Sequence, residues 1–189
     1  MNQQEIEVVN ELALASTQQE LDALEIKLSL NFLSEAEALQ IESLRGTVLD
    51  WSGWFQNEHE NLTNKFTLSV SSKGRPPITI GAAVFSYDME NALVKIHMIE
   101  HFKQQVLDDH LVKRMGFVAL NVALVFARTA KASVIRVVNP LPFAVPYYKY
   151  LSFDFVETDL MESTLQKIDE TLRRLIESRG QHDFESDED

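Results

Sequence analysis

The stretch that most constrains this chain runs from Ala132 to Glu157, ASVIRVVNPLPFAVPYYKYLSFDFVE. Val134–Val138 is a β-branched run, and side chains stiff at χ1 suit an extended, tightly packed backbone, so a buried strand is expected. Asn139-Pro140 ends it, because the ring disfavours helical geometry in the preceding residue and supplies no N–H to extend a ladder. A first-turn proline loses no needed hydrogen bond, which predicts a short helix from Pro146 through Tyr147, Tyr148 and Tyr150 to Leu151. Ser152 breaks it. Alternation over Phe153–Glu157 predicts another strand, giving strand, asparagine turn, short aromatic helix, strand.

In this register the stretch resembles the GNAT N-acetyltransferases, whose corresponding block reads Asn, a few residues, small-x-x-Phe-Tyr-x-x-x-Gly-Phe, strand. Asn139, Val145, Tyr147, Tyr148, Leu151 and Phe153 fall in that pattern, with Ser152 where the family prefers glycine. The resemblance implies that Tyr148 sits in the splay between two parallel strands, beside the thioester of acetyl-coenzyme A, as general acid. It also implies Asn139 as a cofactor-binding residue. The plain alternative is packing, since three tyrosines in a short helix bury large areas and need only a partner for each hydroxyl.

At 189 residues, 45% hydrophobic and 24% charged, the chain suits one globular domain with a sizeable core. It contains no cysteine, which excludes disulfides, thiolate catalysis and cysteine metal sites. No segment approaches the roughly twenty apolar residues of a membrane span. The N-terminus lacks a basic region before an apolar one, so a cytoplasmic protein is the expectation.

The net charge of −12 is unevenly placed: residues 1–60 hold 12 acidic and 2 basic groups, 61–156 hold 6 and 11, and 157–189 hold 11 and 4. An acidic whole disfavours nucleic acid, whose phosphate backbone is bound by clustered Lys and Arg. A basic centre still suits a small polyanion such as coenzyme A, although a solvated surface with uneven charge is the plain alternative.

Along the chain, Asn2–Leu24 is helical in pattern, through Ile6, Val9, Leu12, Leu21 and Leu24, with Thr17 and Glu20 as a capping box. It reads as an extension over residues 1–25. Ile26, Leu28, Leu30 and Phe32 alternate as a strand, with a continuing helix as the competitor. Ser34 and Glu37 form a second capping box, and Ala38, Ile41, Leu44, Val48 and Trp51 lay out one helical face. From Lys65 three strands joined by short turns predict an antiparallel meander, the third covering Ala92–Phe102. On that third strand Val94, Ile96 and Met98 are expected on one face and Lys95, His97 and Ile99 on the other. In the family this strand pairs with the pantetheine arm, which makes Ile99 a cofactor-binding candidate.

After it the family places Arg/Gln-x-x-Gly-x-Gly/Ala at a helix start, where small residues admit the pyrophosphate to backbone N–H groups and the helix end supplies partial positive charge. The matching letters are Lys113-Arg-Met-Gly116-Phe-Val118, so Lys113, Arg114, Gly116, Phe117 and Val118 are the cofactor candidates. Val118 replaces the small residue and is expected to crowd the phosphates. If Asp108 caps a helix that already includes Leu111, Gly116 lies inside it and its N–H groups are engaged.

Acetyl transfer to an amine needs a base and a donor for the departing thiolate. Tyr148 matches the family's acid. Glu100, at the third strand's end, is the candidate base, with His97 and His101 behind it, against the plain reading of a solvated glutamate. Trp51, Trp54, Phe55 and His97 are the substrate-pocket candidates, against the reading of ordinary core packing. Two histidines alone do not argue for metal, and none is expected. The segment Asp159–Ser178 reads as a C-terminal helix striped by Leu160, Thr164, Ile168 and Leu172, followed by an acidic, solvated tail over 180–189.

The expectation is therefore an α/β (α+β), GNAT-like domain over residues 26–157, with a mixed, mostly antiparallel sheet, helices on both faces, and helical extensions at both ends. The function expected is acetyl transfer from acetyl-CoA to a primary amine on a small molecule or a protein, without nucleic acid or membrane. The competing expectation is a degenerate GNAT-fold interaction module, with a homodimer or protein partner engaged through the terminal helices.

Overall fold

A computed structural model describes residues 1–43, 47–56, 64–73, 77–102 and 115–182. Helix α1 (Gln3–Ala23) begins at a capping box: Asn2 accepts from the Glu5 N–H, and Glu5 returns the bond to the Asn2 N–H at 2.8 Å. The box expected at Thr17 does not form. Thr17 lies mid-helix and fully buried, because Gln18, Gln19 and Glu20 carry the helix on without a break. Strand β1 (Leu28–Asn31) follows, then α2 (Glu35–Glu42), capped by the Ser34–Glu37 box as expected, and α3 (Trp51–Gln56). The continuous face expected from Ala38 to Trp51 is thus split between two helices, α2 closing at Ser43.

The meander is β2 (Lys65–Ser72), β3 (Thr79–Asp88) and β4 (Leu93–His101). Helix α4 (Met115–Thr129), β5 (Val134–Val138), α5 (Val145–Tyr150), β6 (Asp154–Glu157), β7 (Leu160–Thr164) and α6 (Leu165–His182) complete the chain. The strands make one seven-stranded sheet in the order β1-β2-β3-β4-β5-β7-β6. Every pairing is antiparallel except β4 with β5.

Strand β7 corrects the expectation of a helix from Asp159. Leu160, Thr164 and Ile168 happen to fall at helical spacing, yet Leu160–Thr164 pairs along β5 from Val138 to Val134. The helix proper starts only at Leu165.

Alternation along β3 divides the interior. Ala83 and Phe85 face the main core, which also holds Ile6, Leu14 and Leu21 of α1, most of α4, and Ile168 and Leu172 of α6. Ala82 and Val84 face a smaller core with Ala38 and Ile41 of α2 and Trp51 and Trp54 of α3. Phe66 stacks between Phe85 and Phe126, at centroid distances of 4.9 and 3.8 Å, tying sheet to helix. Both terminal helices therefore bury their apolar faces in the main core of this chain. Helix α1 also saturates sheet backbone, since Asn10 donates to the Thr67 carbonyl and Gln18 both donates to the Leu28 carbonyl and accepts from the Leu30 N–H. No helix among the described residues is long and apolar enough to cross a membrane.

Candidate active site at the parting of β4 and β5

Strands β4 and β5 pair from Leu93–Val134 to Ile96–Val137 and then part. β5 ends at Val138, while β4 runs on through His97 to His101 with no β5 partner. The parting coincides with a step in the β3 register: Phe85 opposes Ile96 and Val84 opposes Met98, so His97 is an extra residue in β4. Such a bulge bends its strand and increases the local twist. It also reverses the facing of everything after it. Met98 joins the smaller core, whereas Ile99 packs on the main core, opposite to the strict alternation expected from sequence.

Beyond β5, Asn139 adopts φ 48°, a left-handed conformation that asparagine tolerates better than most residues, and its N–H donates to the Asp159 carbonyl at 2.8 Å. Its exposed position turns the chain towards α5. Tyr148 of α5 is 8% exposed and meets Phe153 edge to face at 6.1 Å. Its hydroxyl has no hydrogen-bond partner among the described residues, and burial pushes its pKa up to about 12.

Tyr147 lies over the start of α4. A Cβ added to Gly116 would fall 2.0 Å from Tyr147 Oη and 2.7 Å from two of its ring carbons, so glycine is required for this contact. Phe117 and Val118 are buried in the main core, Val118 completely. This corrects the expected crowding: the Val118 side chain faces the core. Lys113 and Arg114 lie outside the described residues, as do Asp108 and Leu111.

Glu100, sent to the smaller core by the bulge, is 9% exposed. Oε1 accepts from the Val48 N–H at 2.6 Å, and Oε2 accepts from the Leu49 N–H at 3.2 Å and from Trp51 Nε1–H at 2.8 Å. The carboxylate thus binds the chain entering α3. Trp51 is fully buried edge-on to Phe102, and Phe55 packs at the cluster's margin. Trp54 lies 4.9 Å from the His97 ring, whose Nε2 is 2.8 Å from Ser86 Oγ. Three or more His, Cys, Asp or Glu side chains placed to hold a metal do not occur among the described residues.

The predicted residues therefore fall on opposite faces of the sheet. Ile99, Gly116, Phe117, Tyr147 and Tyr148 gather on the α4 side, and His97, Glu100, Trp51, Trp54 and Phe55 on the α3 side. Sequence reasoning did not join Tyr147 to Gly116, since no short-range signal links them. It also missed the bulge, for which a histidine between isoleucine and methionine gives no cue.

No protein-family model and no curated protein matches this sequence. Solved structures do. A chain of the KacTA–DNA complex aligns with a TM-score of 0.58 at 13% identity, covering 78% of this chain and 99% of its own. Nourseothricin acetyltransferase aligns at 0.53 and 14% identity, covering 74% and 99%. The Vibrio cholerae spermidine N-acetyltransferase, solved with CoA and spermine, aligns at 0.51 and 13% identity, covering 75% and 98%. At such identities the likeness is one of architecture, and together with the strand order and the parting of β4 from β5 it establishes that this chain has the GNAT fold.

Proposed function

We propose that the protein transfers an acetyl group from acetyl-coenzyme A to a primary amine. The observation that carries the reading is the stretch of β4 beyond Ile96 that β5 does not pair, together with the close approach of Tyr147 to Gly116 at the start of α4. The backbone around Ile99 would pair with the pantetheine arm, and the backbone of Gly116 and Phe117 would approach the diphosphate. Asn139 would border the same groove. Bound there, the cofactor supplies the activated acyl group. The chain's own contribution is a proton donor: with its pKa near 12, Tyr148 Oη holds its proton throughout the neutral range.

The acceptor amine would approach along the α3 side of β4. His97, beside Trp54, is a half-buried titratable group on that side. The Glu100 carboxylate holds Val48, Leu49 and Trp51 in place through three hydrogen bonds, and it serves this reading best as a positioning residue. A second reading, a GNAT-fold interaction module without cofactor, draws support from Tyr147, which occupies the approach to Gly116.

Calorimetric titration with acetyl-CoA separates the two. Saturable binding near one equivalent, weakened by salt, is expected on the enzyme reading. Absence of heat at millimolar ligand, at low and moderate salt, would refute it.

A further inference from the structure

We infer that Tyr147 is a gate over the start of α4, closed in the conformation described here, and that its ring must swing away before a diphosphate can approach Gly116. The inference rests on the cofactor reading above. Glycine is useful at a phosphate site because the absent side chain lets a ligand come close to the backbone. Here that same space holds the phenol edge, with Tyr147 Oη 2.0 Å from where a Cβ would stand.

The two neighbouring tyrosines differ in how firmly they are held. Tyr148 is 8% exposed, packed on Phe153 and part of the main core. Tyr147 keeps 38% of its surface in solvent, and its hydroxyl makes no hydrogen bond to any described residue. Its ring contact with Tyr148 is a tilted one at 6.3 Å. Contact with Gly116 and Tyr148 favours the closed position, and no polar anchor locks it. A side chain of this kind exchanges rotamers rapidly, so the gate sets affinity through the population of its open state.

The test is calorimetric titration of the full chain with coenzyme A and with pantetheine, for wild type, Tyr147→Ala and Tyr147→Phe. If the open state holds roughly one part in ten of the wild type, removing the ring tightens coenzyme A about tenfold. Pantetheine, which has no diphosphate, should bind wild type and Tyr147→Ala alike. Tyr147→Phe keeps the ring over Gly116 and should stay close to wild type. Unchanged or weaker coenzyme A binding by a folded Tyr147→Ala overturns the gate and leaves the cofactor reading standing. A failure of all three proteins to bind coenzyme A overturns both. Should Tyr147→Ala not fold, Tyr147→Leu replaces it, with the same outcomes decisive.

Discussion

Replacing Glu100 tests whether its carboxylate organises the α3 side of the site. Glu100→Ala strands three donors: the Val48 and Leu49 N–H groups and the indole N–H of fully buried Trp51. Removing one partner of a buried charged network typically costs about 3–5 kcal/mol, and a buried donor left alone about 1–3 kcal/mol. Trp51 has no access to water, so the loss should fall near 4 kcal/mol as an order-of-magnitude figure. For a chain of this size that is a fall of roughly 8–16 °C in Tm. Glu100→Gln is the informative partner. Its carbonyl can keep the Leu49 and Trp51 bonds where Oε2 stood, while its NH2 faces the Val48 N–H, so about half the loss should return. Urea unfolding followed by tryptophan fluorescence reads both variants, because Trp51 itself reports the environment. A loss below about 1 kcal/mol in Glu100→Ala, small beside the figures for a broken buried network, would show that the three bonds do not hold this segment. Equal damage from Gln and Ala would show that geometry alone does not explain the pairing.

Tyr148→Phe should slow acetyl transfer by about a hundredfold or more, while coenzyme A affinity, read by calorimetry, stays within about twofold. The same rate in wild type should show no loss assignable to Tyr148 until pH nears 12: burial disfavours the phenolate, so the raised pKa keeps the donor protonated as pH climbs past 10. A rate unaffected by Tyr148→Phe would remove the residue from its role. Val118→Gly, in place of opening a phosphate site, should destabilise the fold by about 3 kcal/mol, from the lost burial of a core valine and from glycine in a helix. Denaturant midpoints check this, and tighter coenzyme A binding by that variant would contradict the placement of Val118.

Much of the architecture was legible because it is written in local patterns. The run Val134–Val138, the Asn139-Pro140 stop and the first-turn Pro146 specify strand, turn and helix within a few residues of each other, and the structure follows them closely. The Ser34–Glu37 box is equally local. What escaped is what depends on partners distant in sequence. Leu160–Thr164 becomes a strand because β5 offers it a free edge, which no periodicity within the segment reveals. The Val118 side chain was expected to crowd the phosphates because a motif gives spacing along the chain and says nothing of which side chains the core requires. The role of Glu100 depends on three donors some fifty residues earlier, so the sequence offered only a carboxylate at a strand end.

The two sides of the candidate site owe their separation to one residue. With regular alternation after Ile96, Met98 would have followed it into the main core, and Ile99 and Glu100 would each have faced the side the other now faces. Because His97 is inserted opposite the Val84–Phe85 step, Ile99 packs towards α4 and Glu100 reaches the segment before α3. The same insertion falls at the point where the β4–β5 pairing stops. A buried glutamate facing the apolar α4 side would lack the donors that now saturate it, and its desolvation would be uncompensated. The bulge therefore does two things at once: it falls where the β5 pairing of β4 ends, which the cofactor reading needs, and it delivers the buried carboxylate of β4 to a segment that offers it three donors.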